Sequence, residues 1–252
     1  MKKFLKFMGM ILLLAVFTCG GVIVGSYVTF IESEKLEISY ETVTYSEFAR
    51  YVDSIGVNNK LSSYHYELTQ GGYSFETNLN AEIKVKADVK YIGEKASAYC
   101  EISMKNTYEE GIKNYKVYMF EGQFYIDDGI NKYIYEINEI PMDLLNYILN
   151  ISNAAEINST TFEMENFEFL TVKKSQQGEK LSFNNNVSKN DSGLNLYGEF
   201  NVEYKSHVLQ KYSISAERYE NTILTFGNTM SVESKDVVIK TPLVSLYKEY
   251  QG

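Results

Sequence analysis

Residues 81–91 read Ala81-Glu82-Ile83-Lys84-Val85-Lys86-Ala87-Asp88-Val89-Lys90-Tyr91, eleven positions that alternate between apolar and charged side chains without a break. Successive side chains of a strand point to opposite faces, so this pattern specifies a β-strand with one buried and one wet face. An antiparallel sheet is the arrangement that tolerates water on one side. The apolar set faces a core, and the Lys and Glu side chains of the wet set can pair across strands. The stretch sets the expected fold class: mainly β with some α, a curved antiparallel sheet that forms an incomplete β-barrel or an open sandwich.

Moving downstream, Gly93 and Glu94 turn the chain into a partner strand over 96–105. A meander follows over 115–120, 123–127 and 132–137, with turns at Glu121-Gly122 and Asp128-Gly129. Pro141 opens a helix whose apolar side carries Leu144, Leu145, Ile148 and Leu149. Residues 150–160 read as a polar connection, 161–173 and 179–183 as strands, and the Asn-rich run 184–193 as an exposed loop. Four strands over 194–204, 207–218, 221–226 and 229–240 close the chain before Pro242. Upstream, Thr44-Tyr45-Ser46-Glu47 fits a capping box, with Thr44 as N-cap and Glu47 reaching back. Phe48, Ala49, Val52 and Ile55 then recur at helical spacing, which predicts a short helix over 45–55 with Gly56 as its stop.

The N-terminus is of another kind. Residues 7–31 run for 25 positions without a charge, long enough as a helix to span roughly 37 Å against a hydrocarbon core of ~30 Å. Lys2, Lys3 and Lys6 precede the run and Glu32, Glu34 and Glu37 follow it, which places the N-terminus in the cytoplasm and the remainder outside. A retained single-pass anchor is preferred, because apolar character resumes after Gly21 with Val22, Ile23 and Val24. A cleaved signal peptide is the second reading. Lipidation at Cys19 is the third, since Leu14-Ala15-Val16-Phe17-Thr18-Cys19-Gly20 resembles a bacterial lipobox, with Phe17 and Thr18 departing from its small residues. The expected organisation is an anchor or signal over 1–31, a neck over 32–43 and an extracytoplasmic β domain over 44–252.

With Lys2, Lys3 and Lys6 set aside, residues 32–252 keep 21 of the 24 basic side chains and all 33 acidic ones, a formal net charge of −12. Such a surface repels phosphate backbones and anionic headgroups, which argues against nucleic acid as a partner. Only Cys100 lies outside the apolar segment, so no disulfide forms within the domain and the thiol is expected to be buried.

The sequence carries no recognisable catalytic or metal-binding signature. His65 and His207 stand 142 positions apart with no organised ligands around either, so each reads as a surface or turn histidine. No G-x-S-x-G elbow occurs, and Asp127-Asp128-Gly129 puts Phe124 and Ile126 where a calcium loop needs oxygens, so it reads as a hairpin turn. Gly71-Gly72 lacks the Lys-Ser/Thr of a phosphate loop. No cofactor is expected. A polysaccharide-active enzyme working through two carboxylates stays a minor alternative.

What remains is an aromatic load: Tyr91, Tyr99, Tyr115, Tyr118, Tyr125, Tyr133 and Tyr135 fall in consecutive strands. Tyrosine suits both a packed sheet and the rim of an apolar pocket. The sharper reading is a concave sheet whose inner face holds an apolar ligand, lined by Ile83, Val85, Val89 and Tyr91 from one strand and by Phe200, Val202 and Tyr204 from another.

The order of elements, with residues 116–127 and the closing Val237-Val238-Ile239-Lys240-Thr241-Pro242, resembles the lipoprotein-localisation-factor superfamily of bacterial extracytoplasmic proteins over residues 44–245. The resemblance implies an incomplete β-barrel around an apolar cavity, no catalytic residues, and a lipid or lipoprotein cargo. The expected function is a membrane-anchored, non-enzymatic binding module for an apolar or lipid-like ligand. An envelope subunit that recruits a protein partner through a sheet edge or the anchor is the alternative.

Overall fold

The structure is a computed structural model that describes residues 37–56, 60–106 and 111–250. Residues 7–31 and Cys19 lie outside that set. No helix among the described residues is long and apolar enough to cross a membrane. Residues 40–252 fall in one compact unit.

Thirteen strands form one sheet. In chain order they are β1 (Ser39–Thr44), β2 (Ser63–Ser74), β3 (Leu79–Ile92), β4 (Lys95–Asn106), β5 (Ile112–Phe120), β6 (Gln123–Asp127) and β7 (Lys132–Tyr135). They continue with β8 (Thr171–Gln177), β9 (Lys180–Asp191), β10 (Leu194–Lys205), β11 (Val208–Glu220), β12 (Ile223–Ser234) and β13 (Lys248–Glu249). Their order in space is β1-β8-β9-β10-β11-β12-β2-β3-β4-β5-β6-β7-β13. All pairs from β8 to β7 are antiparallel, and β13 adds parallel to β7. The sheet is open, with β1 and β13 at its edges.

The deciding stretch behaves as its alternation dictates. On β3, Val85, Ala87 and Val89 are buried, while Glu67–Lys86 (2.9 Å) and His65–Asp88 (2.7 Å) pair β2 with β3 on the wet face. Two helices cover the inner face. Helix α1 (Tyr45–Gly56) starts on the expected capping box: the Thr44 amide donates to Glu47 Oε2 at 2.8 Å and the Glu47 amide donates to Thr44 Oγ1 at 3.2 Å. Its buried Phe48 meets the rings of Phe162, Phe183 and Phe200 at centroid distances of 5.3, 5.3 and 5.0 Å. Gly56 is not a left-handed stop. It belongs to the helix, and a Cβ there would stand 2.5 Å from the Ile157 carbonyl oxygen, so close approach is what requires glycine.

Helix α2 (Met142–Asn153) runs further than expected and buries Leu144, Ile148 and Ile151. A helix C-terminus leaves carbonyls without intrahelical partners. Here three tyrosines of the sheet supply the donors. The hydroxyl of Tyr64 donates to the Ile151 carbonyl (2.6 Å), Tyr91 to Ser152 (2.9 Å) and Tyr212 to Ala154 (2.9 Å). These bonds pin α2 to β2, β3 and β11.

Several expectations are corrected. The neck holds a strand over most of its second half, β1. Strand β2 was not anticipated, because Gly71 and Gly72 interrupt its pattern. A Cβ on Gly71 would stand 2.6 Å from the Ala81 carbonyl oxygen, and one on Gly72 would collide with Thr225, so the pair lets β12 and β3 crowd against β2. Residues 161–173 are not one strand: a 3-10 turn (Ser159–Phe162) buries Phe162, and irregular chain after it sends Phe169 into the core before β8 begins. The supposed loop 184–193 is strand. β9 pairs with β10 from Lys180↔Lys205 to Asp191↔Leu194, leaving only Ser192 and Gly193 as a turn. The two strands expected over 221–226 and 229–240 are one, β12 (Ile223–Ser234), and the residues around Val237 and Ile239 are irregular rather than part of a closing strand.

The C-terminal segment returns over the β4–β7 end of the sheet. Lys240 Nζ lies 4.1 Å from the Tyr99 ring, Tyr247 packs edge-on against Tyr118 and Tyr125, and Tyr250 stacks on Tyr135 at 4.6 Å. Much of the tyrosine load is thus spent on holding α2 and the tail.

Candidate functional site

The seven residues expected to line a ligand cavity sit in or against the core. Val85, Val89, Phe200, Val202 and Tyr204 are at most 1 % exposed, and Ile83 and Tyr91 are half-buried against the same cluster. The space in front of them is taken by Phe48 and Val52 of α1, Ile148 and Ile151 of α2, and Phe162. Cys100 is buried with them, and burial pushes its thiol well above the ordinary range.

Open space appears instead at one corner of the sheet, where β1, α1 and the β8–β9 and β10–β11 turns converge on a cleft of about 650 Å³. That is within the range that small-molecule pockets occupy, roughly 300–1,000 Å³. Its apolar base is built from Val43, Tyr51, Leu181 and Phe183, with Phe48 beneath. The period of two on β9 puts Leu181 and Phe183 on one face, and the helical spacing of Phe48 and Tyr51 puts both on the side of α1 that meets them. Tyr51 and Phe183 lie 5.0 Å apart by ring centroid, and Tyr204 packs edge-on against Tyr51 at 5.5 Å.

The rim is polar and held in place by specific bonds. Glu41 accepts from Lys174 Nζ at 2.8 Å. Glu47 carries the capping box, and the Thr44 amide holds its carboxyl below the ordinary carboxylate value. Ser206 and His207 form the two-residue turn between β10 and β11, both at positive φ (+51° and +63°). Glu179 secures that turn, accepting from Ser206 Oγ at 2.6 Å while its carbonyl accepts from the Ser206 amide at 3.0 Å. The Tyr51 hydroxyl lies 3.3 Å from His207 Nδ1, and burial raises the Tyr51 hydroxyl above its usual value. Below the base, the Tyr204 hydroxyl is buried and has no hydrogen-bond partner among the described residues.

Sequence reasoning placed His207 beside a hairpin turn but missed the cleft. Its parts come from positions 41–51, 174–183 and 206–207, and the β-period of Leu181 and Phe183 together with the amphipathic face of α1 was the one usable signal. A second cleft of about 660 Å³ lies at the crossing of β2 and β12, walled by the backbone of Gly71, Gly72 and Gly227 with Lys105 and Glu217 beside it. His65 sits on the wet face in its network with Asp88 and Glu67. Asp128 closes the β6–β7 turn, accepting from the amides of Ile130 and Asn131 at 2.8 and 2.6 Å. Among the described residues no group of three or more His, Cys, Asp or Glu is placed to hold a metal ion.

The fold defines the class: a mainly β protein built on one open, curved antiparallel sheet with two helices on its inner face. No protein-family model matches the chain, and no curated protein matches its sequence. In structure it is similar to LprF from Mycobacterium bovis, with a TM-score of 0.42 and 9 % sequence identity over 79 % of this chain and 96 % of that one. A likeness at that level is one of general architecture and carries no function across.

Proposed function

We propose that residues 40–252 form a non-enzymatic extracytoplasmic binding module, held at a membrane by residues 7–31, and that an apolar or amphiphilic ligand occupies the cleft between β1, α1 and β9. The observation that supports this reading is the cleft itself: about 650 Å³ of open space with an aromatic and aliphatic base and a charged rim. The inner face at Val85, Val89, Phe200 and Val202 is filled by the protein's own side chains, so the ligand site moves from there to the corner. Native mass spectrometry of the full chain, purified from its own host's membranes, tests it. A retained amphiphile is expected, and Val43→Asp, which puts a charge on the half-buried base, should lose it. A chain that carries no ligand, or one whose retained amphiphile survives Val43→Asp unchanged, would count against the cleft.

A second reading has its own observation. β1 is an edge strand whose neighbour Ile38 and member Tyr40 are 44 % and 78 % exposed, and an edge of this kind accepts an added strand from a partner. A proline at Thr42 that abolishes co-purification of an envelope protein would favour this assembly role.

A further inference from the structure

We infer that the cleft selects a positively charged amphiphile, one whose headgroup is an ammonium; the inference rests on the reading of the cleft as the ligand site. Three carboxylates line it, Glu41, Glu47 and Glu179, against one ammonium, Lys174. These four groups sum to a net charge of −2. Among the described residues each carboxylate is held through one oxygen. Glu41 Oε2 takes Lys174, Glu47 Oε2 takes Thr44, and Glu179 Oε2 takes Ser206. The three Oε1 atoms have no hydrogen-bond partner among the described residues and remain acceptors for a donor or a cation entering from outside.

An anionic headgroup meets the opposite situation. The one lysine of the lining is already engaged by Glu41, so a sulfate or phosphate would find no unspent ammonium there and three negative neighbours. The base adds a second attraction for cations. The faces of aromatic rings carry negative potential and attract ammonium groups within about 6 Å. Tyr51 and His207 stand together at the wall, 3.3 Å apart through hydroxyl and ring nitrogen, and Phe183 backs Tyr51. An alkyl chain on the same ligand would lie along Val43 and Leu181. Carboxylates at the rim, aromatic rings at the wall and aliphatic side chains at the base together match an alkylammonium.

The test uses the full chain in nanodiscs of uncharged lipid and three probes of equal chain length: hexyltrimethylammonium, hexyl sulfate and hexyl glucoside. Methyl resonances of Val43 and Leu181 report binding in the cleft. The cation should bind on the order of ten-fold more tightly than the sulfate, a difference that shrinks as salt is raised. Glu41→Gln combined with Glu179→Gln should bring cation and sulfate to within about two-fold, while an unchanged thermal unfolding midpoint and circular dichroism spectrum of the unliganded variant show that the fold is kept. Equal or reversed preference in the unaltered chain, with Val43 and Leu181 still responding, would overturn the charge selection and leave the ligand site standing. Failure of all three probes to move Val43 or Leu181 would overturn both.

Discussion

The two helices cover the sheet in different ways, and the difference separates what is structural in this protein from what is available for binding. Helix α2 is closed down: three tyrosine hydroxyls from β2, β3 and β11 take the carbonyls of its last turn and the residue that follows, and Leu144, Ile148 and Ile151 are buried beneath it. Helix α1 is anchored at its start by the Thr44–Glu47 box and in its middle by Phe48, but its Tyr51 side faces a cleft. One helix seals the inner face and the other leaves a corner open.

The sharpest way to break that contrast is to cut into the sealed face. Phe200 was a candidate ligand residue, and the structure makes it a core residue in contact with the rings of Phe48, Phe162 and Phe169. Phe200→Ala should cost about 3–5 kcal/mol in urea unfolding, the usual result of removing a buried aromatic ring. A cost below about 1 kcal/mol would mean that the inner face is not packed as described.

A smaller effect compares two buried tyrosines. Tyr64→Phe strands the Ile151 carbonyl and should destabilise by about 1–3 kcal/mol. Tyr204→Phe removes a hydroxyl that has no partner among the described residues, so stability should stay within about 0.5 kcal/mol or rise. Equal losses at both positions would contradict the pinning of α2 by tyrosine hydroxyls.

The smallest expected effect lies at the start of α1. The Thr44 amide holds the Glu47 carboxyl below its ordinary value of 4.5, so the folded state binds this proton more weakly than the unfolded chain. The resulting stabilisation is present above pH 4.5 and is lost as pH falls through the lowered folded value. Glu47→Gln should remove that component of the pH dependence, measured as the difference in Tm between variant and parent from pH 6 down to 3. A difference that does not change with pH would exclude the carboxylate as the stabilising form.

Residues 81–91 and the Thr44–Glu47 box were legible in the sequence because each is a local pattern that the tertiary structure leaves unchanged. Asn184, Asn185 and Asn186 were not. Asparagine disfavours strands when judged alone, yet here each pairs in register, with Asn201, Phe200 and Glu199 of β10. Gly71 and Gly72 hid β2 for a related reason, since their value lies in close approach to β3 and β12, which no local window contains. The cleft was illegible because its walls come from three separate segments. Ile83, Val85, Val89, Tyr91, Phe200, Val202 and Tyr204, expected to line a ligand cavity, share the apolar inner face, and periodicity does not say whether helices or a ligand will cover it.

The direct test of that distinction is a crystal structure of the protein soaked with an alkyltrimethylammonium carrying bromine at the end of its chain. Anomalous scattering should place bromine in the corner cleft, beside Val43, Tyr51 and Leu181. Bromine between the helices and the sheet, against Val85, Val89 and Phe200, would show that the inner face opens to ligand and would contradict the account given of both helices.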